Sequence, residues 1–154
     1  MVDAAGPPTR VPDLLFVYGT LWTGSGYREA KRLASRCLKD LGPAWICGRL
    51  YDLGRHPAVV PARHANERVH GRLCAVSERD ACLARLDAFE DCDPNDPHAG
   101  LYRRERIRVY AAHTARMPHG TDAPQWCWAY FFNGGVTGRP RIRHGDYRRW
   151  LKGS

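Results

Sequence analysis

Residues 44–76, AWICGRLYDLGRHPAVVPARHANERVHGRLCAV, place three extended stretches in succession with no helical period between them. AWICGRLYDL (44–53) reads as a strand, with Gly48 marking a bulge or a close approach. HPAVVPA (56–62) is held extended by its bracketing prolines. RVHGRLCAV (68–76) alternates as a strand with one buried face does. Such a run of consecutive strands argues against strand–helix–strand alternation. It favours an α+β chain with a mixed or barrel-like sheet.

The flanks extend this reading. On the N-terminal side, LLFVYGTL (14–21) is a strand apolar on both faces, stopped at Gly19 and Thr20. Ser25 or Thr23 then caps a helix in which Tyr27, Ala30, Leu33, Ala34, Cys37 and Leu38 recur at helical spacing. Gly42-Pro43 ends that helix. On the C-terminal side, SERDACLARLDAFED (77–91) reads as a helix with a capping-box-like start at Ser77 and Asp80. DCDPNDPHAG (91–100) forms a loop. YRRERIRVYAA (102–112) and the aromatic QWCWAYFFN (125–133) are strands, and the remainder is irregular with one short helical turn. The total is about six strands and two helices.

A chain of 154 residues suits one domain, placed at 13–154 behind a loose tail over residues 1–12. No apolar run approaches the length of a membrane span, and the N-terminus lacks a secretory apolar stretch. Cys37, Cys47, Cys74, Cys82, Cys92 and Cys127 include no C-x-x-C pair, so six reduced thiols and a cytoplasmic location are expected. The seven histidines follow no metal-ligand spacing, and no metal or cofactor is expected. The net charge of +8 raises the question of nucleic acid. Yet the arginines run along the whole chain, residues 78–96 carry seven carboxylates against two arginines, and no nucleic-acid-binding motif occurs. Neither a nucleic-acid nor a membrane partner is expected. No nucleophile elbow or phosphate-binding loop is present.

Chemistry is suggested by the 77–91 helix. With Leu83 at zero, Leu86, Phe89 and Glu90 fall near 300°, 240° and 340° at about 100° per residue. Glu90 therefore points with the apolar stripe, in the last turn, where burial and the helix dipole both raise a carboxyl pKa. That is what a general acid or base near neutral pH needs. A frayed helix end that turns Glu90 to water is an equal reading, and Asp87, near 40°, is not sharply separated from it. The Tyr18-Gly19-Thr20 turn is the second component, because glycine permits close approach and successive N–H groups converge into an anion nest.

Taken in order, FVYGTL (16–21), GRLYDLGRHPAVVP (48–61), VHGRLCAVSERDACLARLDAFED (69–91), YRRERIRV (102–109) and AYFFN (129–133) resemble the gamma-glutamylcyclotransferase-like superfamily, nearest the branch containing gamma-glutamylamine cyclotransferase. The resemblance implies a small mixed β-barrel with flanking helices. It implies Glu90 as catalytic acid/base, and Tyr18, Gly19, Thr20, Leu21 and Tyr102 as substrate-binding residues. It also implies a small-molecule gamma-glutamyl amide cyclised to 5-oxoproline with release of an amine, without metal or cofactor, by a monomer or homodimer. The loop between Glu90 and Tyr102 is longer than the family pattern. The charge supports an alternative, a non-catalytic or differently acting member of the fold that binds a small molecule or acidic partner through its basic surface.

Overall fold

The computed structural model describes residues 13–23, 28–111 and 125–153. The expected tail and the cap at Ser25 lie outside these residues, as does Tyr27. Seven strands and four helices follow in order: β1 (Leu14–Val17), α1 (Thr20–Thr23), α2 (Arg28–Cys37), β2 (Leu38–Cys47), β3 (Arg49–Asp52), β4 (Pro57–Val60), β5 (Arg68–Val76), α3 (Arg79–Phe89), β6 (Tyr102–Ala111), β7 (Gln125–Phe132) and α4 (Tyr147–Leu151).

β1, β5, β2, β6 and β7 close into a barrel in that order, and β3 with β4 makes a separate two-stranded ribbon. The barrel is mixed. Its neighbours run antiparallel, except that β1 lies parallel to β7 with Leu15 opposite Trp128. This is the α+β barrel with flanking helices expected from the sequence.

The apolar character of β1 on both faces has a direct cause. Leu14 and Phe16 fill the barrel with Ile46, Val69, Leu73 and Phe131. Leu15 and Val17 point outward, where α2 and α3 cover them through Leu33, Leu83 and Leu86. All four residues of β1 are buried. Inside the barrel the backbones approach closely: a Cβ at Gly71 would stand 2.1 Å from the Val17 carbonyl oxygen.

Three expectations need correction. α2 ends at Cys37 and runs straight into β2, rather than continuing to Gly42-Pro43. Gly42-Pro43 instead sits in a bulge of β2, where the register with β5 slips between Asp40 and Gly42. The Asp40 carboxylate accepts the Gly42 N–H at 2.9 Å, and Gly42 has a φ of 119°, which favours glycine. The strand expected over 44–53 is two elements broken at Gly48, whose added Cβ would meet Val59 at 3.1 Å. α3 starts at Arg79 with Glu78 as N-cap and no side-chain cap bond, so Ser77 caps nothing; its N–H instead donates to the Cys37 carbonyl at 2.8 Å.

The thiols also depart from expectation. Cys37 and Cys82 form a disulfide across 45 residues, joining the end of α2 to α3, while Cys47, Cys74, Cys92 and Cys127 are free. Two cysteines so far apart in sequence carry no spacing signal. Replacing both with serine is expected to lower unfolding stability by about 2–4 kcal/mol through the unfolded chain's regained freedom. Chemical denaturation of the double variant checks this, and an unchanged midpoint would mean the bridge does not form in solution.

Among the described residues, no helix is long and apolar enough to cross a membrane.

Candidate active site

A cavity of about 350 Å³ opens where the end of β1, the end of α3 and the β3–β4 ribbon meet. Tyr18, Gly19, Thr20, Leu21, Glu90 and Tyr102 all line it. The sequence-derived site residues are therefore brought to one place from three distant segments.

Glu90 is the residue that caps the C-terminal end of α3, its N–H donating to the Leu86 carbonyl at 3.0 Å. That bond holds the helix end wound, so Glu90 does not fray toward water. The next residue, Asp91, turns the chain with a φ of 53°. Its carbonyl and carboxylate both accept the Leu101 N–H, at 2.9 and 3.0 Å, closing the neck of the 91–101 loop. Asn133 pins the same loop to the end of β7 by donating to Pro97 and Gly100 carbonyls at 2.7 and 2.8 Å. This loop is thus stitched down beside the cavity, and Asp91 and Leu101 form part of the cavity wall.

Glu90 shares this wall with Phe16, Leu21, Pro57 and Phe89, and also with Glu29, His56 and the three tyrosines. Glu90 is partly buried at this position. Burial pushes its pKa up from 4.5 to about 8.

Asp87, which periodicity did not separate from Glu90, has a different setting. It is 5% exposed and accepts a two-point contact from Arg104, at 2.7 and 3.0 Å, plus the Tyr130 hydroxyl at 2.7 Å. Arg104 in turn lies 4.3 Å over the Trp128 ring. Asp87 is therefore committed to docking α3 on β6 and β7 and does not line the cavity, whereas Glu90 does.

The turn after β1 is fixed from two sides. The Tyr18 hydroxyl donates to the Tyr130 carbonyl at 2.5 Å, and burial raises its pKa well above the ordinary phenol value, with Tyr102 and Glu90 adding to the effect. Gly19 packs against Pro57, so that an added Cβ would stand 2.8 Å from the proline ring. Thr20 opens α1, whose first N–H groups have no carbonyl partner within the helix.

Tyr102 links β6 to the ribbon. Its hydroxyl donates to the Pro57 carbonyl at 2.7 Å and lies 2.7 Å from His56 Nδ1. With the tyrosine proton directed at Pro57, His56 is the donor at Nδ1, and its Nε2 is left as an acceptor. Burial also lowers the His56 pKa. Sequence reasoning missed His56, Tyr130 and Glu29 in this wall. His56 had a visible signal, its place before Pro57 in the bracketed segment, but nothing in the sequence pairs it with Tyr102.

A closed mixed barrel with a carboxylate at the end of a covering helix, facing a Tyr-Gly-Thr turn, defines the gamma-glutamylcyclotransferase-like class of fold. The family described as gamma-glutamyl cyclotransferase, AIG2-like, matches residues 15–149, and the chain belongs to this family. Among solved structures, it is similar to an AIG2-like protein from Mus musculus, with 22% identity over 89% of this chain and 88% of that one, at a TM-score of 0.65. YtfP from Escherichia coli is 28% identical over 87% of this chain and 95% of that one, at 0.57. YkqA from Bacillus subtilis is 21% identical over 93% of this chain, at 0.62, and the present chain spans 43% of its length. No curated protein matches the sequence.

Proposed function

We propose that the chain is a gamma-glutamyl cyclotransferase that closes a gamma-glutamyl amide to 5-oxoproline and releases the amine, with Glu90 as general acid and base. One observation carries the reading: Glu90, whose carboxyl pKa burial pushes up to about 8, lines the same cavity as the 18–21 turn.

The substrate brings its own nucleophile. Glu90 as carboxylate takes a proton from the alpha-ammonium. Burial raises its proton affinity above that of an ordinary carboxylate, which brings it nearer to an amine and eases transfer in either direction. The amine attacks the gamma-carbonyl, and negative charge develops on its oxygen. N–H groups of the Gly19–Leu21 turn hold the substrate and stabilise that charge. The tetrahedral centre collapses and the C–N bond to the amine breaks as Glu90 returns its first proton to the departing nitrogen. The regenerated carboxylate then takes the second proton from the ring nitrogen, leaving the lactam N–H, and passes it to the released amine, which departs as an ammonium. Intramolecular attack asks the protein mainly for orientation, and Tyr18, Leu21 and Tyr102 shape the cavity that bends the substrate.

The test is 5-oxoproline release from gamma-glutamyl amino acids, gamma-glutamyl-epsilon-lysine and simple gamma-glutamyl alkylamides. Turnover of at least one supports the reading; no turnover by a folded protein across the panel overturns it.

Gly19→Ala probes the turn separately. Its new Cβ collides with the rigid Pro57 ring, so the turn must shift. Stability is expected to fall by about 1–3 kcal/mol, and kcat/KM by about 10- to 100-fold from misplaced donors. Steady-state kinetics beside a melting curve checks both, and unchanged kinetics would remove the turn from the mechanism.

A further inference from the structure

Beside the cavity, α2 and α3 enclose a second groove of about 600 Å³. Arg28, Arg32 and Arg36 succeed one another at four-residue steps and share one face of α2, and Arg85 joins them from α3. Against these four guanidiniums, the groove wall holds one carboxylate, Glu29. All four arginines are exposed. Among the described residues none of the four has an ion pair, as is true of other exposed arginines such as Arg55 and Arg139; what sets the four apart is that they line one groove.

Folding does not account for this arrangement. Like charges at four-residue spacing weaken a helix, and an unpaired cationic wall facing a concavity repels itself. It does attract a compact anion. The groove adjoins the cavity, since Glu29, Ala88 and Phe89 line both. A gamma-glutamyl amide with its reacting carbonyl at Glu90 would have this cationic groove on the other side of the shared residues, within reach of a long amine half.

We propose that the groove binds the amine half of the substrate, and that this half carries clustered carboxylate or phosphate groups. Calling the ligand a substrate rests on the cyclotransferase reading; the affinity for a compact polyanion rests on the four arginines alone.

The full chain carrying Glu90→Gln, which spares the ligand from turnover, is titrated by calorimetry with three gamma-glutamyl conjugates: gamma-linked triglutamate, gamma-glutamyl aminoethyl phosphate and gamma-glutamyl ethylamide. The acidic conjugates are expected to bind about tenfold more tightly than the ethylamide at low salt, with the advantage shrinking as salt is added. Adding Arg32→Gln and Arg85→Gln is expected to reduce that ratio to about twofold or less. Which acidic conjugate leads distinguishes a carboxylate source from a phosphate source. Equal affinities for all three, or an advantage that survives loss of the arginines, overturns the proposal. Free citrate and tripolyphosphate separate it from the cyclotransferase reading. If no gamma-glutamyl compound binds but these anions still weaken about tenfold on loss of the arginines, the groove stands and the reaction falls. If no anion responds to the arginines, the groove proposal falls.

Discussion

Glu90→Gln is expected to lower kcat/KM for a turned-over gamma-glutamyl amide by about 10²- to 10⁴-fold, the usual contribution of a positioned acid/base. The amide keeps the size of the carboxylic acid and removes only its capacity to exchange a proton. Wild-type kcat/KM is expected to climb with pH along a limb centred near the Glu90 pKa of about 8, since the base must be ionised in the free enzyme. Stability moves in the opposite direction. The folded state holds Glu90 protonated above its ordinary 4.5, so the benefit is full below that value and is lost as pH rises through about 8. Glu90→Gln does not titrate, and its melting temperature relative to wild type is expected to rise between pH 5 and pH 9, the two sides of that window. A variant that retains wild-type turnover, or a pH–rate profile flat through this range, would remove Glu90 from its assigned role.

The largest expected effect on stability lies at Asp87. Asp87→Ala strands the half-buried Arg104 guanidinium and the buried Tyr130 hydroxyl without their shared acceptor. Breaking a buried ion pair from one side costs about 3–5 kcal/mol. Asp87→Asn, which keeps an oxygen to accept one bond, is expected to cost less. The double change Asp87→Leu with Arg104→Met leaves no orphaned charge and is expected to recover a large part of the loss. Denaturant unfolding of the three variants checks the ranking. A double variant less stable than Asp87→Ala would show that the pair contributes by packing and not by charge. Because Asp87 seats the helix that ends at Glu90, activity is expected to fall along with stability in Asp87→Ala.

Periodicity along single elements located β1, β5, α3, β6 and β7, and it placed Glu90 toward the apolar side of its helix. It did not distinguish Glu90 from Asp87, because both lie within the same arc. The distinction comes from the neighbouring sheet, where Arg104 and Tyr130 claim Asp87 from residues 17 and 43 positions away. The family pattern, and not the hydrophobic spacing, linked Glu90 with Tyr18 and Tyr102. The passage from α2 to β2 was illegible because no breaker stands between Cys37 and Leu38; the strand is imposed by β5, which pairs with Leu38 through Cys47. The disulfide and the His56–Tyr102 contact were hidden for the same reason, since each joins segments whose approach only the closed barrel creates.

That closure also orders events in time. The strand that begins the barrel is sealed by the strand that ends it, and the hydroxyl that steadies the Tyr18 turn finds its acceptor 112 residues later. During synthesis β1 can first meet β5, but the Tyr130 carbonyl emerges only with β7. Loop closure over so long a span is slow relative to local pairing. The turn that shares the cavity with Glu90 therefore cannot make its full set of native contacts until β7 is present, and a chain cut before β7 carries the glutamate without the Tyr18–Tyr130 bond.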